Sequence, residues 1–139
     1  SAADAVSSAV VIASWANLHN LLDLRPGRAL KTGLLVTTPL ALAPGGEASR
    51  VLAAGAAGAA AAALPEDLAE DTMLGDTGAN ALGALVGTSL AAHPAAALRL
   101  AAACLGTGLV LASERISFSK VIAASPVLNA LDTLGRRAQ

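Results

Sequence analysis

The sequence predicts an all-α fold, a polytopic membrane helical bundle of about five transmembrane helices. Three observations predict it. Apolar residues make up 55% of the chain and charged residues 14%, where a soluble domain carries roughly 25% charge. Aromatics are nearly absent, with one Trp and one Phe. A core in water would therefore rest on Ala, Leu and Val, which fill volume poorly, whereas in a bilayer small residues let helices approach closely. The charges are also clustered. No Asp, Glu, Lys or Arg stands between Asp4 and Asp23, Lys31 and Glu47, Arg50 and Glu66, Asp76 and Arg99, or Arg99 and Glu114. These gaps of about 14 to 22 residues approach the ~20 that span hydrocarbon. A soluble amphipathic helix would place a charge every turn or two.

The elements follow from the gaps and the turn signals. Helices are predicted over about 5–20, 30–43, 49–64, 80–92 and 96–112. The second stops at Pro44-Gly45-Gly46, the third before Pro65 and the fourth at His93-Pro94, all strong local breakers. Within the third, the run 53–63 is almost pure Ala and Gly, and Gly55 and Gly58 are candidates for a close helix contact. Residues 1–112 form the membrane domain and 113–139 a cytoplasmic tail. In that tail Val121, Ile122, Val127, Leu128, Leu131 and Leu134 alternate with Lys120, Asp132, Arg136 and Arg137. A short helix lying on the membrane surface is expected there, with Pro126 in its first turn.

Lys and Arg distribution sets the orientation. Arg25, Arg28 and Lys31 follow the first helix, and Arg115, Lys120, Arg136 and Arg137 follow the fifth, while the opposite face carries only Arg50 and Arg99. With five spans the two basic segments share a side, the cytoplasmic one, as does the acidic loop 65–78. The net charge of −1 gives no argument for a nucleic-acid partner. The single Cys104 reads as a small packing residue. Ser1 opens directly into an apolar segment with no basic stretch before it, so the chain is expected to be a piece whose N-terminal half lies upstream.

Two polar clusters interrupt this background. In Asn17-Leu-His-Asn20-Leu-Leu-Asp23 the polar residues recur every three positions on one side of a helix. Polar groups near a membrane helix end are costly unless they meet water, one another or a ligand; a plain polar helix terminus is the alternative. In Leu74-Gly75-Asp76-Thr77-Gly78-Ala79-Asn80 an acid lies between glycines ahead of a helix. Glycines let backbone approach a phosphate at a helix N-terminus, and a carboxylate there can hold Mg²⁺. Asp76 or Thr77 as a mere helix cap is the alternative.

The order, spacing and shared face of the two clusters resemble the polyprenyl-phosphate N-acetylhexosamine-1-phosphate transferase superfamily, the group of phospho-MurNAc-pentapeptide translocase and the GlcNAc-1-phosphate transferases. Asn17, Asn20, Asp23, Gly27 and Ala29 fall on its Asn-x-x-Asn-x-x-Asp-Gly-x-Asp-Gly-x-Ala stretch. Gly75, Asp76, Gly78 and Gly83 fall on its Met-Gly-Asp-x-Gly-Ser helix start. The resemblance covers most of the chain and fits the family's C-terminal half. It differs at Leu24-Arg25-Pro26, where the family has Gly-Leu-Asp in the uridine pocket, and at Ala79, where the family has Ser. Ser113 to Lys120 stands where the family has a His-rich motif, and neither His19 nor His93 replaces it.

The resemblance implies a multi-pass protein of the cell membrane that moves a sugar-1-phosphate from a UDP-sugar to polyprenyl phosphate. It implies Asp23 and Asp76 as catalytic residues, Asp76 as ligand to a Mg²⁺ cofactor, and Asn17, Asn20, Gly75 and Gly78 as substrate contacts. The implied partners are the lipid bilayer, polyprenyl phosphate and the UDP-sugar, and a homodimer is compatible with it. A degenerate member acting as a scaffold or regulator of envelope assembly is the alternative.

Overall fold

The computed structural model describes residues 1–136, and among them every regular element is an α-helix. The order is α1 Ala2–Leu22, α2 Arg28–Leu42, α3 Glu47–Leu68, α4 Gly75–Ala91, α5 Ala96–Ser113, α6 Phe118–Ala124 and α7 Pro126–Thr133. Ser1 caps α1, its hydroxyl accepting the Asp4 N–H at 3.2 Å, which satisfies an otherwise orphaned amide. The α3 helix does not stop at Pro65. It runs one further turn to Leu68, and the Ala69 N–H closes onto the Pro65 carbonyl at 3.0 Å. Proline removes a single ladder bond, and the cost falls at the helix end, where a kink displaces little packing.

Three helices, α1, α3 and α5, are long and apolar enough to cross a membrane. At 1.5 Å per residue the 15 residues of α2 and the 17 of α4 reach about 23 and 26 Å, short of the ~30 Å hydrocarbon core.

α4 packs on α1 and α3, and α1 also packs on α5. The α1–α4 seam rests on Gly83 and Gly87, one turn apart. A methyl group at Gly83 would strike the Trp15 carbonyl oxygen and lie 2.7 Å from the Ala16 Cα, and one at Gly87 would lie 2.8 Å from the Ile12 Cα. The obstacles are backbone atoms, so only glycine permits this approach. Trp15, buried in the seam, donates its indole N–H to the Ala102 carbonyl of α5 at 3.0 Å, and Ser49 of α3 donates to the Ser89 carbonyl of α4 at 2.7 Å. Gly55 and Gly58, expected at a helix contact, meet nothing within 4 Å. The inward face of α3 is instead Ala53, Ala56 and Ala60. Along the Ala and Gly run 53–63 composition does not say which side faces in. Cys104, expected in packing, is exposed on α5.

The loops segregate to two ends. Gly45 and Gly46 lie against His93 and Pro94, so the α2–α3 and α4–α5 turns meet at one end. Arg99 seals that end, donating to the His93 and Pro94 carbonyls at 2.8 and 3.0 Å. The α1–α2 turn, the α3–α4 turn and the tail meet at the other. Cysteine accessibility tests this arrangement in a Cys104→Ala background. Arg25→Cys, Asp76→Cys and Ala130→Cys should label from one side of the membrane and Gly46→Cys from the other. Labelling of positions 46 and 76 from the same side would refute it.

The tail forms α6 and α7, and Pro126 occupies the first turn of α7 as expected. Its faces are inverted relative to a helix in water. Asp132 is buried against α2, while Val127, Leu128, Leu131 and Leu134 are exposed. Such an outward apolar face suits the bilayer interface. Arg137 lies outside the described residues.

Candidate functional site

The two polar clusters end up at the same end of the bundle because α1 and α4 are antiparallel neighbours, so the last turn of α1 faces the first turn of α4. Asp23 is the C-cap of α1. Gly75 opens α4 with φ +68, a conformation available to glycine without strain, and its N–H lies close enough to the Asp23 carboxylate to favour the charged form. Asp76 is exposed in the first turn of α4, where Asn80 donates to its backbone carbonyl at 2.8 Å and leaves the carboxylate free of that bond. Gly78 packs on Leu74 and lines an apolar cavity of about 230 Å³ between α3 and α4, shared with Ala60, Leu82 and Leu85.

The pair becomes a triad of acids through Asp67, which the sequence reading passed over. Asp67 is buried, at 6% exposure. One carboxylate oxygen accepts the Gly27 N–H at 2.6 Å and the other the Leu74 N–H at 3.0 Å. Asp67 thereby fastens the α1–α2 turn to the α3–α4 turn. Gly27 supplies its amide from a left-handed conformation, φ +73, which a side chain would strain. Asp23, Arg25, Pro26, Asp67, Glu70 and Met73 line a cavity of about 190 Å³ beneath this clasp.

Partial burial, the neighbouring Asp67 and, less strongly, Asp76 push the Asp23 carboxyl up to about 6, against the pull of the Gly75 amide. Like charges gathered in a half-desolvated site produce this shift. The folded state therefore holds the Asp23 proton more tightly than the unfolded chain does. That contribution is complete below the ordinary carboxylate pKa of about 3.9 and is lost as pH rises through about 6, above which the carboxylate is a burden. Asp23→Asn should accordingly raise the Tm at pH 7.5 and leave it unchanged at pH 4. The gain should be about 1 kcal/mol once solvent screening is allowed for. Thermal unfolding at the two pH values checks this, and equal effects at both would contradict the acid cluster.

Asn20 is half-buried, and its Oδ1 has no hydrogen-bond partner among the described residues. Asn17 is exposed, about 9 Å down the helix axis from Asp23. Three-residue steps fall short of a full 3.6-residue turn, so a polar repeat of three drifts around the helix, and Asn17 leaves the face that Asp23 occupies. Within the last turn of the same helix, His19 is fully buried, its Nδ1 on the Trp15 carbonyl at 2.9 Å. It belongs to the seam with Gly83 and Gly33 rather than to the cavity.

Among the described residues no three His, Cys, Asp or Glu side chains stand together as a metal-binding group. A dedicated all-protein cage for a divalent ion is therefore not what this end of the bundle offers. Mg²⁺ more often binds through one or two carboxylates and completes its shell with water and substrate phosphate. Asp23 and Asp76 fit that use, since mutually repelling acids gain from a cation. Asp67 does not, because both its oxygens are engaged. No protein-family model, curated protein or solved structure matches the chain.

Proposed function

We propose that this chain is the five-span C-terminal half of a larger transferase of the cell membrane. It would move a sugar-1-phosphate from a UDP-sugar to polyprenyl phosphate and release UMP. The observation that carries the proposal is the meeting of Asp23 with Gly75 and Asp76 at one end of the bundle, from motifs half the chain apart. In this reading α2 and α4 also cross, as short spans shielded by their longer neighbours, and the acid-bearing end is cytoplasmic, following the basic residues gathered there.

Asp76, exposed and unbuttressed, would hold Mg²⁺ with Asp23, and the ion would neutralise the diphosphate of the donor. Asp23, at the end of α1 beside the start of α4, would orient the lipid or nucleotide phosphate for in-line attack. Asp67 keeps the two turns in register. The apolar cavity between α3 and α4, beginning at Leu74 and Gly78, offers the first isoprene units a place beside the acids. Asn20, on the last turn of α1, would support Asp23 by hydrogen bonding.

The second reading, a non-catalytic scaffold or regulator of envelope assembly, draws on Arg25-Pro26. These residues wall the acidic cavity where the family pattern has Gly-Leu-Asp. The deciding experiment supplies full-length protein with polyprenyl phosphate, Mg²⁺ and either UDP-GlcNAc or a UDP-MurNAc peptide, and follows UMP. Release that requires both lipid and metal supports the transferase. If neither donor turns over, the scaffold reading stands.

A further inference from the structure

We propose that the tail closes a second site, a pocket for a phosphoryl anion built by Arg25, Arg28 and Arg136 beside the acidic cavity, with Arg25 bordering both. A cavity of about 220 Å³ separates the start of α2 from α6 and α7, and Arg25, Arg28, Ser119, Asn129, Asp132 and Arg136 line it. Three guanidinium groups there face a single carboxylate.

The one carboxylate is divided between two of the three, Arg28 and Arg136. Arg28, at 6% exposure, donates to both Asp132 oxygens at 2.6 and 3.0 Å and to the Ser119 hydroxyl at 3.0 Å. Lys31 meanwhile donates to the Leu131 and Asp132 carbonyls at 3.1 and 2.8 Å. These bonds hold α7 onto α2. Arg136 shares the Asp132 carboxylate through a single 3.3 Å ion pair, and Arg25 lines the cavity without an ion pair to that carboxylate.

Arg136 is the informative one. Its Nε donates to the Pro26 carbonyl at 3.3 Å, and its guanidinium is 16% exposed. One terminal nitrogen, Nη2, is buried and has no hydrogen-bond partner among the described residues. It lies 3.3 Å from an Asp132 oxygen, close enough for charge attraction but misaligned for a hydrogen bond. A buried charged donor left unsatisfied is costly, and an arriving acceptor relieves that cost.

The acceptor best matched to two arginine forks beside a hydroxyl and an amide is a phosphoryl group. It brings three strongly accepting oxygens, where a carboxylate brings two. The volume lies below the ~300 Å³ at which pockets for drug-sized molecules begin, so a phosphate or diphosphate fits and a whole nucleotide does not. Two sources share this chemistry, a soluble phosphate ester and an anionic lipid headgroup. The exposed apolar face of α7 puts the second within reach of the same pocket.

The test reads binding and not turnover, so it stands or falls apart from the transferase reading. Full-length protein in neutral phosphatidylcholine nanodiscs is titrated with inorganic phosphate and with pyrophosphate. A parallel sample carries a minor fraction of phosphatidic acid, and its bound lipid is measured. Saturable binding of the soluble anions, weakened about tenfold or more by Arg136→Gln, supports the pocket with a soluble ligand. Retention of phosphatidic acid that Arg136→Gln abolishes supports it with a lipid ligand. Should Arg136→Gln loosen the tail and lower the Tm, Arg25→Gln gives the same reading from an exposed residue. Absence of binding in both arms, or binding indifferent to both substitutions, overturns the proposal.

Discussion

Asp76→Asn is expected, on the proposed transferase function, to lower Mg²⁺-dependent UMP release by about a thousandfold or more while the protein still inserts and folds. The amide keeps the shape of the side chain and removes the charge that holds a hard cation. Losing a metal ligand commonly forfeits several kcal/mol of transition-state stabilisation, and about 4 kcal/mol corresponds to the thousandfold fall. The structure makes the substitution clean. Asp76 is exposed, and the Asn80 bond in its turn goes to the Asp76 carbonyl, which the substitution leaves in place. The Tm should therefore change by no more than the ~0.5 kcal/mol typical of surface positions. UMP release and thermal unfolding measured on the same preparation decide the matter. Undiminished turnover by Asp76→Asn would remove Asp76 from the machinery.

The largest structural effect should come from Gly83→Leu. Its Cβ would overlap the Trp15 carbonyl and press on the Ala16 Cα. Backbone cannot rotate away as a side chain can, so α1 and α4 must move apart. Separation loosens the Trp15 bond to Ala102 and opens the contacts of Val11, Leu82 and Val86. Overpacking of well-fitted cores costs about 1–3 kcal/mol and occasionally more, and the rigid obstacle here puts Gly83 at or above the top of that range. Gly58→Leu is the control, because a side chain there meets open space within the chain. Thermal unfolding of the two variants should differ by several kcal/mol, with Gly58→Leu near wild type. A loss at Gly58 as large as that at Gly83 would point to a second copy of the chain against α3.

How far the sequence could be read depended on the range of the forces involved. Charge-free gaps and breakers are local, and they gave the five longer helices and both ends of the bundle, because Pro44-Gly45-Gly46 and His93-Pro94 act through backbone sterics alone. Pro65 misled because one missing amide near a helix end is outweighed by packing along the rest of α3. Asp67 was illegible. In a loop with Glu66, Glu70 and Asp71 a further acid looks like solvated charge, and its two amide partners lie on turns far apart in sequence. Arg28 counted as one more cytoplasmic cation, yet it is buried on Asp132, 104 positions away. The four-residue spacing of Gly83 and Gly87 was a usable signal amid larger neighbours such as Leu85 and Val86. Gly55 and Gly58, set among alanines, carried no such contrast.

The glycine seam also bears on how the protein is made. α1 leaves the ribosome well before α4, at synthesis rates that separate them by on the order of several seconds. In that interval His19 and Trp15 have lost water and have not gained the neighbours that cover them. α1 is long and apolar enough to cross a membrane, and until α4 covers it these polar groups are costly in lipid. Widening the seam would then be felt during biogenesis as well, as polar groups of α1 still uncovered once α4 has arrived.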